Sequence, residues 1–166
     1  MQTNELYELS GELLNSNQQV KLKVGGYSMF PFLKNGDIIT LQKCKASDLK
    51  TGDVVGFKTG NKWIAHRLIK KSKVNNKLFL LTKGDTCRHK DPLFTEENYI
   101  GKVVSFSRKS KEFNLNNSFL KFVGILIARL SIALTPLLIT NLWIVNKFKS
   151  IKENSTNNFG LLTQRR

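Results

Sequence analysis

The stretch GGYSMFPFLKNGD, residues 25–37, places one serine on a turn and then leads into an apolar run. Gly25 and Gly26 permit a sharp bend ahead of Ser28, and Pro31 fixes the backbone angle φ just after it. The pattern therefore predicts that Ser28 is held at the rim of a sheet, as a nucleophile would be. A plain Gly-Pro turn ahead of a strand explains the same residues, so the choice depends on residues further along the chain.

Runs of Val, Ile, Leu and Phe follow this turn and predict a mainly β fold. Gly-Asp or Asn-rich turns separate the runs at intervals of about 12–20 residues, which is typical of a compact, barrel-like or folded antiparallel sheet. The predicted strands are Asp37–Gln42, Asp53–Lys58, Trp63–Lys70, Lys77–Lys83 and Tyr99–Arg108. They define a β domain at residues 21–110, preceded by a polar helix or arm at residues 1–20. Leucines four residues apart and early acids predict a short amphipathic helix over Glu5–Asn15.

The composition is that of a folded and strongly basic protein. The chain has 166 residues, of which 40% are hydrophobic, enough for one domain with a core. Its formal net charge of +15 favours acidic partners such as nucleic acid or anionic lipid. No nucleic-acid-binding motif accompanies the charge, so no specific nucleic acid is expected and a membrane is favoured. Cys44 and Cys87 form no redox or zinc motif, so neither a metal nor a cofactor is expected.

A long apolar run near the C-terminus predicts membrane contact. The hydrophobic helical segment, residues 119–146, follows a linker at 111–118 and precedes a basic flexible tail at 147–166. Up to Val145 it is interrupted only by Lys121, Arg129 and Asn141. Its length suffices to span a bilayer, but a central arginine is costly and Pro136 favours a kink. A helical hairpin on the membrane surface, or a helix pair buried against protein, accounts for the same residues.

A histidine and two aspartates downstream of the turn supply the groups that a serine nucleophile needs. Alternation along the third predicted strand places His66 between Ile64 and Leu68 on one face. A serine hydroxyl is a weak nucleophile until an adjacent base takes its proton, and a third group must orient that base. His66 is a candidate base, and Asp85 or Asp91 is a candidate third group. A structural, hydrogen-bonded histidine is the other interpretation of His66.

The sequence blocks around these residues resemble the type I signal peptidase family, in the family's order. They are GYSMFPFLKNGD at 26–37, Gly-Asp at 52–53, HRLI at 66–69, TKGD at 82–85 and GKV at 101–103. The resemblance extends over roughly half of the chain. Bacterial members typically carry a lysine base just before the arginine of the third block, whereas the endoplasmic-reticulum and archaeal type carries a histidine. The triplet AHR at 65–67 is similar to the Ser/His type.

The resemblance implies an antiparallel β fold of the signal peptidase and LexA group, and a serine endopeptidase that cleaves signal or leader peptides. It implies Ser28 as the nucleophile, with its own backbone N–H in the oxyanion hole, and His66 as the base. Asp91 is the implied third member and Asp85 a supporting carboxylate. Met29 is expected to line the substrate cleft or to fill the core. The implied partners are a polypeptide substrate and, through the C-terminal segment, membrane lipid.

Two positions and one missing element depart from the family pattern and leave other functions open. Gly26 stands where the family usually has a hydroxyl residue that helps to bind the oxyanion. The family usually has a transmembrane helix just before the Ser-Met block, and residues 1–24 are not expected to supply one. Thr86 stands where the Ser/His type commonly has Asn. The alternative function is a catalytically weak or inactive binding module at the membrane. A LexA-like self-cleaving regulator is less favoured, because it would use a lysine base and need a DNA-binding domain.

The two arguments about location point in different directions. No positively charged stretch followed by an apolar core marks a signal peptide at the N-terminus, which favours a cytoplasmic catalytic domain. The family resemblance favours the extracytoplasmic face of a membrane. Membrane association is expected in either case.

Two charged side chains near the predicted site receive other roles. Arg67 lies on the strand face opposite His66 and is expected to be a surface or anchoring residue. His89 lies in a polar turn and is expected to be exposed to solvent.

Overall fold

An antiparallel sheet forms most of the part of the protein that the computed structural model describes, residues 2–130. The strands are β1 Val20–Lys23, β2 Ile38–Gln42, β3 Val54–Thr59, β4 Lys62–Val74, β5 Lys77–Lys83, β6 Phe94–Thr95, β7 Tyr99–Arg108 and β8 Lys111–Asn114. Helix α1, Gln2–Asn15, precedes them, and residues 118–130 are helical and are called α2. The predicted fold class is therefore confirmed at this level: a mainly antiparallel β protein with an N-terminal and a C-terminal helix.

The order of the strands in the sheet is β1-β2-β7-β3-β4-β5-β6, and β8 pairs with β7. Strand β7 joins the two halves, because it pairs with β2 through residues 102–107 and with β3 through residues 99–102. The register shifts between Thr40 and Leu41 and again between Gly56 and Phe57. Such bulges bend a sheet and increase its twist. The bent sheet packs apolar side chains on both of its faces.

Two hydrophobic clusters form the core, one on each side of the central strands. Val54 belongs to the first cluster and Val55 to the second, as the alternation of side chains along a strand requires. Strand β4 follows the same rule, with Trp63 and Ala65 against the first cluster and Ile64 and Leu68 in the second. The strand that carries His66 is thus covered on both faces.

Both helices are packed on the sheet. Helix α1 buries Leu14 in the first cluster, and its Tyr7 ring stacks on Trp63 with the ring centroids 5.2 Å apart. Helix α2 touches the turn before β3 with its backbone: a Cβ on Gly52 would lie 2.7 Å from the Ile125 nitrogen. A Cβ on Gly124 would lie 2.8 Å from the Gly52 carbonyl oxygen. Gly52 and Gly124 therefore allow α2 to approach this turn more closely than larger residues would permit.

Each of the five predicted strands is present, but three of the observed strands, β1, β6 and β8, were not predicted. Lys77–Lys83 and Tyr99–Arg108 are confirmed to the residue, while β4 continues four residues beyond the predicted Lys70 to Val74. The linker predicted at 111–118 is wrong in its first half, because Lys111–Asn114 forms β8 and pairs with β7. All four residues of β8 are exposed, so this strand lacks the apolar alternation that identifies a half-buried strand.

The hydrophobic segment predicted at 119–146 is described only as far as residue 130. Its remainder and the predicted tail at 147–166 lie outside the described residues. Within residues 2–130, no helix combines the length and the hydropathy that a bilayer crossing requires.

Candidate active site

The turn that carries Ser28 is held by the core and by its own backbone. Met29 is only 2% exposed and belongs to the first hydrophobic cluster, and it also lines the cleft beside Ser28. The Leu33 N–H donates to the Met29 carbonyl, at 2.8 Å. Met29 therefore fills the core and also lines this cleft. Ser28 itself is half-buried at the edge of the cleft.

His66 is fixed on β4 and reaches Ser28 across the site. Its Nε2 lies 3.0 Å from Ser28 Oγ. The ring is buried, and it makes a T-shaped contact with the ring of Phe57, with the ring centroids 6.0 Å apart. Two rigid strands, β3 and β4, thus determine where the imidazole points.

Asp91 binds the other nitrogen of the same imidazole. Its Oδ2 lies 2.7 Å from His66 Nδ1 and accepts a second hydrogen bond from Thr82 Oγ1, also at 2.7 Å. Burial raises the pKa of Asp91, but the hydrogen bonds from His66 and Thr82, together with nearby positive charge, outweigh burial and hold the pKa below its usual value. Since an ionised carboxylate only accepts, it pairs with a protonated Nδ1, and in the neutral imidazole Nε2 is then the nitrogen that can accept from the Ser28 hydroxyl.

Thr82 is a site residue that the sequence alone does not single out. It holds Asp91 twice, through its hydroxyl and through its carbonyl, which accepts from the Asp91 N–H at 2.9 Å. The signal available in the sequence is its position at the head of the TKGD block. A threonine at the end of a strand is too common for that position to indicate a role.

The turn after β5 is tied directly to the Ser28 turn by Thr86. The Thr86 N–H donates to the Ser28 carbonyl at 3.0 Å, and the Thr86 hydroxyl donates to the Tyr27 carbonyl at 2.9 Å. Gly84 completes the contact, because a Cβ there would lie 2.8 Å from the Ser28 carbonyl oxygen and 3.1 Å from His66 Nε2. Thr86, one of the departures from the family pattern, therefore bridges the two turns.

Asp85 forms a buried ion pair with Arg67 and no hydrogen bond to Ser28 or His66 within the described residues. Arg67 Nε and Nη2 donate to its two oxygens at 2.8 and 2.7 Å, and each of the two side chains is 1% exposed. Arg67 Nη1 also donates to the Gly52 carbonyl at 2.9 Å, and the guanidinium lies over the ring of Phe32. Of the two roles expected for Arg67, the anchoring role is confirmed and the surface position is wrong.

A cleft of about 470 Å³ opens beside Ser28 and His66. None of the described residues that line it carries a carboxylate. Most of its wall is apolar, and the side chains of that wall are Tyr7, Leu22, Val24, Met29, Leu33, Ile39, Leu41, Trp63, Ile64 and Ala65. The cleft therefore fits an apolar segment of a ligand and ends at the hydrogen-bonded serine.

The remaining candidates lie away from these groups or have no metal-binding arrangement. His89 is exposed, as expected. Cys44 and Cys87 form no disulfide, and burial raises the pKa of the Cys87 thiol. Within residues 2–130, no three His, Cys, Asp or Glu side chains are grouped closely enough to hold a metal ion.

No protein-family model matches the chain, and no curated protein matches it significantly.

Proposed function

We propose that the protein is a serine endopeptidase of the signal peptidase type, which cleaves signal or leader peptides at a membrane. One observation carries the proposal: the chain of contacts from Ser28 Oγ to His66 Nε2, at 3.0 Å, and from His66 Nδ1 to Asp91 Oδ2, at 2.7 Å. A nucleophile, a base and an orienting carboxylate within hydrogen-bond reach are the signature of nucleophilic acyl transfer. The substrate class comes from the family resemblance.

The proposed reaction has two halves, the formation of an acyl-enzyme and its hydrolysis, and His66 acts as a base in both. His66 Nε2 takes the Ser28 proton as Oγ attacks the peptide carbonyl carbon, and Asp91 stabilises the imidazolium that forms. The negative oxygen of the intermediate is bound by the Ser28 backbone N–H. The imidazolium then protonates the leaving amine, the C–N bond breaks, and water attacks the acyl-enzyme with His66 again as base. Asp85 supports the reaction indirectly by holding the turn that carries Asp91.

The substrate fits the cleft as an extended strand. Strand β1 stands at one end of the sheet. In β4, the pairing with β5 begins at Arg67, so residues 62–66 lie outside that pairing. Both segments contribute to the apolar lining of the cleft. Added strands bind through their backbone, while pockets for alternate side chains supply specificity. By the family resemblance, small residues precede the cleaved bond.

Membrane contact is proposed through α2. Its outer surface carries apolar side chains that are 37–70% exposed, with basic side chains among them. The apolar ones are Phe119, Phe122, Ile125, Leu126 and Leu130, and the basic ones are Lys121 and Arg129. A helix with this composition favours the boundary between lipid headgroups and acyl chains.

Gly26 is the observation that favours a second candidate, a binding module with weak or no catalysis. Its φ is +87°, in the left-handed region that favours glycine. Glycine offers no hydroxyl to the oxyanion, and a serine or threonine at position 26 would be strained. Loss of one oxyanion donor costs about 10²–10³-fold in rate. The proposed peptidase is accordingly slow unless another donor serves.

Labelling with a serine-reactive phosphonate, read by intact mass, tests the proposal. The full chain, in lipid or detergent, is expected to take one label, which Ser28→Ala abolishes and which His66→Ala and Asp91→Asn strongly reduce. His89→Ala is the matched control, because it removes an exposed histidine and is expected to leave labelling unchanged.

Two results would contradict the peptidase. A parent protein that remains unlabelled in lipid supports the binding module. If Ser28 is still labelled in His66→Ala, His66 is not the base. A LexA-like mechanism with a lysine base then becomes the better explanation.

A further inference from the structure

The apolar cleft beside Ser28 meets a second cavity at a pair of stacked aromatic rings. Among the described residues, Tyr7 and Trp63 are the two that line both spaces. Their rings are nearly parallel, with an angle of 17° between the planes and 5.2 Å between the centroids. The second cavity measures about 580 Å³. The stacked pair, called here the aromatic partition, therefore separates the two spaces.

The two spaces differ in chemical character. Most of the wall of the cleft beside Ser28 is apolar. The second cavity is lined by charged side chains on several elements, namely Glu8, Glu12, Lys43, Lys58, Glu96 and Glu97. Charged groups lose their hydration when apolar matter covers them, which costs free energy. The aromatic partition thus stands between a space that favours apolar groups and a space that favours water.

Helix α1 holds Tyr7 in the partition. Gly11 lies on the same helix face as Tyr7, since residues four apart are neighbours on a helix, and a Cβ on Gly11 would lie 4.0 Å from the Trp63 indole. Leu14 is 1% exposed and belongs to the first hydrophobic cluster, which ties the helix to the sheet. Leu9 of the same helix is 54% exposed and lines neither space.

Strand β4 connects the partition to the reacting groups. Residues 63–66 of this strand all line the cleft, so the cleft follows β4 from His66 to Trp63. Three steps along an extended strand measure about 10 Å. The Ser28 hydroxyl lies 3.0 Å from His66 Nε2. A group that enters the cleft beside Ser28 therefore has a limited length available before it meets the partition.

We propose that Tyr7 is a specificity-determining residue, which limits the length of the apolar group that the cleft accepts beside Ser28. Such a group gains free energy for each methylene that it buries. Once it reaches the stacked rings, a longer group must displace Tyr7 or leave the cleft toward water. Short apolar groups of the substrate are therefore favoured over long ones. This inference rests on the proposed function, because it defines which substrates the same site takes.

The experiment measures phosphonate labelling of Ser28 with a series of probes that carry unbranched alkyl chains of increasing length. In the parent protein, the second-order rate is expected to increase by about fourfold for each added methylene. It should stop increasing at the length that reaches the partition. Tyr7→Ala removes the ring, so the increase should continue to longer chains. The first probes beyond the parent's limit are expected to react about tenfold faster with Tyr7→Ala than with the parent.

Two control variants leave the partition in place. Tyr7→Phe retains the ring, and Leu9→Ala shortens an exposed side chain of the same helix, so both are expected to keep the parent's limit. Rates are compared between variants at the same chain length, because the loss of probe into detergent or lipid is then equal. Urea unfolding verifies that Tyr7→Ala is folded. Tyr7→Leu, which also removes the ring but keeps an apolar side chain, replaces it if it is not.

Two results with a folded variant would overturn the proposal. One is a limit at the same chain length as in the parent. The other is an equal decrease of the rate at every chain length, because Tyr7 then acts only by holding α1.

If the parent is not labelled by any probe, the proposed function fails instead. The cleft is then tested by calorimetric binding of unbranched alcohols of increasing length. The affinity is expected to stop increasing at a longer chain in Tyr7→Ala than in the parent. An unchanged limit, or a parent that binds none of the alcohols, would refute the role of Tyr7.

Discussion

Replacing Gly84 by alanine tests whether close packing sets the distance between Ser28 and His66. The added Cβ would lie 2.6 Å from Cys87 Sγ, 2.8 Å from the Ser28 carbonyl oxygen and 3.1 Å from His66 Nε2. A carbon atom normally stays about 3.5 Å or more from such atoms. The thiol can turn away, but the Ser28 carbonyl belongs to the backbone and accepts the Thr86 N–H. We therefore expect the turn after β5 to move away from the serine.

The expected size of the effect follows from these contacts. Overpacking of this kind costs about 1–3 kcal/mol of unfolding free energy. A misplacement of about 1 Å between reacting groups costs on the order of 10²-fold in rate. Gly84→Ala is thus expected to lower the urea midpoint moderately and the rate of phosphonate labelling severely. Urea denaturation followed by fluorescence and intact-mass labelling measure the two quantities on the same preparation.

The double variant Gly84→Ala/Cys87→Ala separates the contacts. It removes the clash with the thiol and leaves the clash with the Ser28 carbonyl oxygen. Stability is expected to recover in part, while the labelling rate stays low. The reasoning is refuted if Gly84→Ala alone labels within about threefold of the parent, because a 10²-fold loss is expected.

Three further predictions concern the stability of the fold. Arg67→Met or Asp85→Asn is expected to lower the free energy of unfolding in urea by about 3–5 kcal/mol, because each leaves a buried charge without its partner. The double variant should lower it by less than the sum of the two single variants. Gly11→Ala is expected to raise stability by about 0.5–1 kcal/mol in the same assay, because alanine favours helix α1 and its Cβ would meet only Trp63, at 4.0 Å. Burial raises the pKa of Asp37, but Arg108 and Lys34 together outweigh burial and hold the pKa below its usual value. The ionised Asp37 carboxylate therefore stabilises the fold fully above about pH 4, and this stabilisation is lost as the pH falls through the lowered pKa. Asp37→Asn should accordingly flatten the decrease of Tm between about pH 4 and pH 2.

Much of the fold could be predicted because most strands carry their own signal. Lys77–Lys83 and Tyr99–Arg108 are apolar runs that end at turns, and the structure has the same bounds. β8 could not be found in this way. Its four residues are exposed, and what holds it is the turn at Lys109 and Ser110, both with positive φ, and the stacking of Phe113 on Phe106 at 4.8 Å. Neither feature appears as hydrophobic periodicity.

The candidate site, like the fold, was predictable only in part. The order of the motif blocks predicted that Ser28, His66 and Asp91 come together, and their distances agree with that expectation. The burial of Arg67 was not predictable from alternation, because the segments that cover it, Phe32 and α2, are distant in the sequence. Local patterns indicate which face of a strand a residue occupies, but not what packs on that face. Whether the three side chains act as proposed is a question for the labelling experiment.

The spacing of the three groups along the chain has a consequence for synthesis. Ser28 and His66 are separated by 38 residues, and His66 and Asp91 by 25. Contacts of such separation form late, because long loops must close first. In the proposed mechanism, a nascent chain that has not yet folded β4 and β5 against the Ser28 turn lacks the base that activates the serine. The proposed activity would therefore arise only with the finished sheet.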